Sequence, residues 1–141
     1  MYQHQAEIVD ASIKRAKERC NANQLALQMM TTFFQHFPET AEIFAPFDLN
    51  KVSLIKFCKV GDALLDAVKH PDYSVTATEE ELYRHLTYNV RDTGYYFGLI
   101  DAYVATIQTA LGNEWTSAEN EAWQDTVAGM RFNINQASQQ L

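Results

Sequence analysis

Residues 78–97 read TEEELYRHLTYNVRDTGYYF, and the first nine of them set the terms for the rest of the chain. Thr78 followed three residues later by Glu81 has the spacing of a capping box, in which hydroxyl and carboxylate satisfy N–H groups that a helix start leaves without partners. The spacing predicts a short helix from Thr78 that carries Leu82, His85 and Leu86 on one face. His85 then looks inward, away from water. Such a histidine has two readings: a hydrogen-bonded core residue, or a neutral imidazole with one ring nitrogen free to ligate a metal.

Outward from this stretch the apolar residues keep helical spacing. C-terminally, Leu99, Tyr103, Ile107 and Ala110 define a long helix, widened by Ile100, Val104 and Leu111 and capped by Gly112. Thr116 and Glu119 form a second capping box, ahead of Trp123, Val127, Met130 and Ile134. N-terminally, Val60, Leu64 and Val68 line a helix that ends before His70-Pro71, and residues 69–78 are expected to form the longest connection. Met30, Phe34 and Phe37 share a face on a helix that Pro38 stops or restarts. Val9, Ile13, Ala16 and Cys20 step by four, three and four, with His4 in an N-terminal tail. Six or more helices and no convincing strand predict an all-α fold, organised as a single domain over residues 1–141.

Composition narrows the function classes. The net charge is −7 and the 11 Lys and Arg are dispersed, so neither nucleic acid nor an anionic membrane finds a basic footprint. No stretch approaches the roughly 20 apolar residues of a membrane span. The first residues, MYQHQAEIVD, lack the basic start and apolar run of a secretory signal, so a cytoplasmic location is expected. Cys20 and Cys58 match no metal or redox spacing; they are expected as buried thiols, with a redox-sensitive pair as the alternative. The glycines stand singly, which excludes a phosphate-binding loop, and the acidic residues lack calcium-loop spacing.

Lys56 is out of place. At about 100° per residue, Lys51, Lys59, Asp62, Asp66 and Lys69 form the polar face of its helix, and Phe57, Val60, Leu64, Ala67 and Val68 the buried stripe. Lys56 falls on the flank of that stripe, one turn after Val52 and one before Val60. Either its methylenes cover apolar surface while the amine reaches water, or the amine enters a pocket and meets a ligand.

Residues 84–97, RHLTYNVRDTGYYF, resemble the proximal-histidine segment of bacterial globins, in which an apolar residue follows the histidine by five positions and a tyrosine by ten. Val90 and Tyr95 match both. The stretch Leu111–Thr116 with Ala122-Trp123 looks like that family's entry to its final helix, and FFQHFPETAEIF sets Phe44 six residues after Pro38, as the family sets its haem-stacking phenylalanine. The resemblance spans the chain. It implies a globin fold of about six to eight helices around haem, with His85 as the iron ligand. Leu82, Leu86, Val90 and Phe97 would form the proximal side and Met30, Phe44, Val52 and Val60 the distal side, while Tyr95 would hold the second nitrogen of His85.

The distal side departs from the pattern. Met30 stands eight residues before Pro38, where many bacterial globins carry a tyrosine, and no distal histidine or glutamine is evident. Counting back from His85 makes Lys56 the distal residue with Val60 packed over the iron; counting from Phe44 makes Val52 distal and sets Lys56 above the iron. Lys56 enters the pocket in both registers, as hydrogen-bond donor or as ligand. The function implied is reversible binding of a diatomic gas (O2, NO or CO) for carriage or sensing, rather than catalysis. The alternatives are a haem enzyme (nitric oxide dioxygenase or peroxidase) and a haem-free signalling module. A homodimer is compatible with the aromatic-rich helices.

Overall fold

The computed structural model describes residues 2–141, with side chains from His4 onward, and every regular element among them is helical. Seven α-helices follow in order: α1 (Tyr2–Arg19), α2 (Ala22–His36), α3 (Ala41–Phe44), α4 (Leu49–Lys69), α5 (Pro71–Leu86), α6 (Thr93–Leu111) and α7 (Ser117–Ser138). Single 3-10 turns at Pro38–Thr40 and Gly112–Glu114 lead into α3 and towards α7. No helix among the described residues is long and apolar enough to cross a membrane.

Most boundaries are set by side-chain chemistry. Asn21, Asp48 and Asp92 each stand before a helix and accept a hydrogen bond from Gln24, Lys51 and Gly94 N–H respectively, which relieves a backbone donor with no helical partner. Thr116 and Glu119 complete the capping box of α7 reciprocally. Gly112 ends α6 at φ +56°, ψ −124°, a conformation that a Cβ disfavours. Pro38 does both things expected of it: α2 closes at His36, and the proline opens the next turn.

The start of α5 differs from expectation. The helix begins at Pro71, one residue after α4 ends, so there is no long connection at residues 69–78. Proline at the first helical position gives up an N–H that would be unpaired anyway, and Asp72 complements the helix dipole there. Thr78 is thus a buried residue in mid-helix rather than a cap. The longest break is residues 87–92, where Asn89 takes φ +62° and Val90 N–H closes back on the His85 carbonyl at 3.1 Å. Asparagine tolerates that left-handed conformation.

The core lies where α1 and α2 pack on α4 and α6, with α5 closing against α4 and α7. Phe57, Tyr103 and Trp123 form its aromatic spine, with ring centroids 4.8 Å and 6.2 Å apart along the series. Leu25, Met29, Met30, Leu64, Ile107 and Ile134 fill the space around it, each burial contributing roughly 1.5–3 kcal/mol. Phe37 lies so close to α6 that a Cβ at Gly98 would collide with its ring. His4 belongs to α1 rather than to a tail, and is exposed. The cysteines also depart from expectation: Cys58 is exposed on α4 and Cys20 half-buried, because Cys58 points off the polar side of its helix.

Candidate functional site

A cavity of about 280 Å3 opens between α4, α5, α6 and α7. Its wall is mostly apolar: Val60, Ala63 and Leu64 from α4, Leu82 from α5, Leu99 and Ile100 from α6, Met130 and Ile134 from α7. Polar side chains line it too: Lys56, Glu81, His85 and Tyr96 gather at one end, and Lys59, Asp62, Asp66, Ser74 and Thr78 also border it.

His85 is held by its own helix. Its Nδ1 lies 2.8 Å from the Glu81 carbonyl oxygen, one turn back. A carbonyl only accepts, so Nδ1 carries the proton and Nε2 presents its lone pair to the cavity. The Nζ of Lys56 stands 3.3 Å from that Nε2. The Glu81 carboxylate reaches Nδ1 at 3.5 Å and pairs with Arg84, but makes no ion pair with Lys56 among the described residues. The ring of Tyr96 meets the imidazole edge-on, with centroids 5.4 Å apart. Its hydroxyl is buried and has no hydrogen-bond partner among the described residues.

The electrostatics disfavour positive charge at this end. Burial pulls Lys56 below the usual lysine range, against the attraction of Glu81 and with the repulsion of Lys59 and Arg84. Burial likewise lowers His85; its bond to the Glu81 carbonyl opposes the shift and the neighbouring Lys56 charge adds to it. Burial, with the Glu81 carboxylate nearby, pushes the Tyr96 phenol up to about 12. A neutral imidazole, an amine with reduced affinity for its proton and a free phenol hydroxyl therefore face one apolar space. Two nitrogen lone pairs, once unprotonated, can ligate a metal there; the hydroxyl can donate to a polar guest.

The structure brings some of the expected residues together and sets others apart. Lys56, Val60, Leu82 and His85 meet at the cavity. On α4, Lys56 stands directly across from Nε2 of His85, Val60 is on the wall one turn further along, and Val52 is half-buried one turn back. Met30 is in the core, 1% exposed, and contributes nothing to the wall. Phe44 packs on Phe34 with centroids 5.8 Å apart, because the short α3 ends there and Pro46 and Asp48 restart the chain as α4. Leu86 is half-buried beside the end of α5, and Val90 is in the turn after it.

Tyr95 and Phe97 need the clearest correction. On α6 the cavity side is Tyr96, Leu99 and Ile100, and a residue to either side of Tyr96 is rotated by about 100°. Tyr95 donates its hydroxyl to Glu39 at 3.3 Å and meets Phe37 edge-on; it does not reach His85, whose Nδ1 is occupied by the Glu81 carbonyl. Phe97 lies under the Arg131 guanidinium, 5.0 Å from its ring. Tyr96, Glu81, Met130 and Ile134 complete the site without having been singled out. Tyr96-Leu99-Ile100 has the three-and-four spacing of a helix face, and Glu81 is one turn before His85, so both signals were present in the sequence.

Among the described residues no three His, Cys, Asp or Glu side chains converge as a cage for a bare metal ion. No family model, curated protein or solved structure matches the chain.

Proposed function

We propose that the chain is a globin-type protein that takes up haem between α4 and α5 through His85 and reversibly binds a diatomic gas. One observation carries this reading: Nε2 of His85 presents a lone pair to an apolar cavity while Nδ1 is fixed by a backbone carbonyl. That arrangement of ligating nitrogen and orienting partner is what a histidine metal ligand requires. A porphyrin brings its own equatorial nitrogens, so the protein need supply only axial donors and apolar walls.

The residues present fit the group. The walls from Val60 and Leu64 on one side and Leu82 on the other are apolar, and the donor set is an imidazole opposite an amine. At about 280 Å3 the cavity is just below the roughly 300–1,000 Å3 of ligand pockets. Uptake therefore requires Lys56 and His85 to part. When bound, haem supplies an iron centre able to coordinate O2, NO or CO. His85 would anchor it, the aliphatic side chains would exclude water, and the unpartnered Tyr96 hydroxyl offers a donor at the same end of the cavity.

Titration of the purified protein with haemin tests the reading. A Soret band that saturates at one equivalent, and that His85→Ala weakens by at least about tenfold in affinity, is the expected result. Protein that stays colourless, or a variant that binds equally well, rejects it. A haem-free module of the same architecture is the second reading, favoured by the direct Lys56–His85 contact that already spans the cavity. The colourless outcome selects it.

A further inference from the structure

We infer that Lys56 is a second axial ligand, its Nζ binding the iron on the face opposite His85, so that the resting site is closed by a residue of the chain itself. The inference rests on the haem reading above and deepens it.

The geometry is specific. Metal–nitrogen bonds are about 2.0–2.1 Å, so two nitrogens trans across one metal stand about 4 Å apart. Nζ and Nε2 are already 3.3 Å apart and face one another. A separation of roughly 0.7 Å more, set by those bond lengths, converts the contact into a ligand pair. The choice of partner points the same way. The Glu81 carboxylate is close enough to attract the amine, yet Lys56 contacts the imidazole lone pair, while Glu81 pairs with Arg84 and approaches Nδ1. Lys56 and Val60 line the same cavity, and the amine of Lys56 is within reach of a metal that Nε2 would hold.

Two consequences follow for the site. A gas reaches the metal only after the amine withdraws, so affinity and rate are limited by how readily Lys56 leaves. The flexible four-carbon stem allows that withdrawal without moving α4. Glu81 lies where it can receive the released ammonium, since its carboxylate faces the same end of the cavity. Withdrawal of Lys56 would leave a coordination position open on a bound haem, and the freed amine would take its proton from solvent.

Absorption and electron paramagnetic resonance spectra of the haemin-loaded ferric protein, at one fixed neutral pH, give the test. Wild type is expected to be six-coordinate and low-spin. Lys56→Ala is expected to become high-spin, and Lys56→Arg likewise, because a guanidinium has no available lone pair. After reduction, both variants should bind CO at least about tenfold faster than wild type, the closed fraction having been removed. A high-spin wild-type spectrum, or variant spectra identical to wild type, overturns the inference while leaving haem binding intact. Failure of all three proteins to bind haem rejects the reading beneath it as well. Far-ultraviolet circular dichroism establishes that the variants are folded; should Lys56→Ala lose its helical signal, the wild-type resonance spectrum and Lys56→Arg still decide the matter.

Discussion

Lys56 is the side chain whose cost to the fold and proposed use are most directly opposed. Its amine is drawn out of water beside a neutral imidazole, attracted by Glu81 but in no ion pair among the described residues. Without haem, replacing it with an apolar side chain of similar reach removes that penalty. Lys56→Leu is expected to raise the melting temperature of the haem-free protein by at least about 2 °C, measured by circular dichroism. The pH dependence has a definite sign. The folded pKa lies below 10.5, so the unfolded chain binds the proton more readily, and the wild-type deficit is complete at pH below the folded value. It closes as pH rises through the folded value towards 10.5, and the advantage of the variant should shrink over that interval. A variant no more stable than wild type at neutral pH would show that the amine is not penalised.

Among the elements, the join of α1 to α7 shows how a cap becomes tertiary structure. Glu119 takes part in the capping box and also accepts from Ser12 at 2.5 Å and from Arg15 at 3.2 Å. Burial raises its pKa, but the bonds from Ser12 and Thr116 and the Arg15 charge outweigh burial and leave it below 4.5. Its contribution to stability is therefore present above 4.5 and lost as pH falls through the folded value. Glu119→Gln should lose about 1.5–3 kcal/mol at neutral pH, by urea unfolding, and the gap to wild type should narrow in acid. A gap independent of pH would contradict this account. On α6, Gly98→Ala should destabilise by about 1–3 kcal/mol, because the new methyl meets the Phe37 ring, itself held by Phe33 and Tyr95. An unchanged midpoint in the same measurement would mean that the ring moves aside freely.

These elements also show what the sequence could convey. The capping box at Thr116 is legible because Thr116 stands in the break ahead of α7, and the same pattern at Thr78 misleads because Pro71 starts a helix seven residues earlier. His85 and Lys56 could each be singled out on their own helix, from a polar residue on or beside an apolar stripe. Periodicity alone does not bring them together: only the resemblance sets Lys56 in the same pocket as His85, and their direct contact depends on α5 returning directly from α4. Tyr95 was favoured over Tyr96 through the resemblance, whereas α6 presents Tyr96 to the cavity. Residues that make a site by facing across helices, such as Met130 and Ile134, are indistinguishable in sequence from ordinary core.

At the scale of the whole molecule, α4 and α5 are the two long walls of the cavity and share a single connecting residue, His70. Lys56 and His85 stand far along these walls, each roughly 20 Å from that residue at about 1.5 Å per residue. The pair of helices is therefore a long-armed lever with its fulcrum at one peptide unit. A rotation of about 2° at the fulcrum moves the tips apart by roughly 0.7 Å over that length. The stiffness of that movement is governed at the corner where the two helices join, by the torsions of His70 and the pyrrolidine ring that follows it.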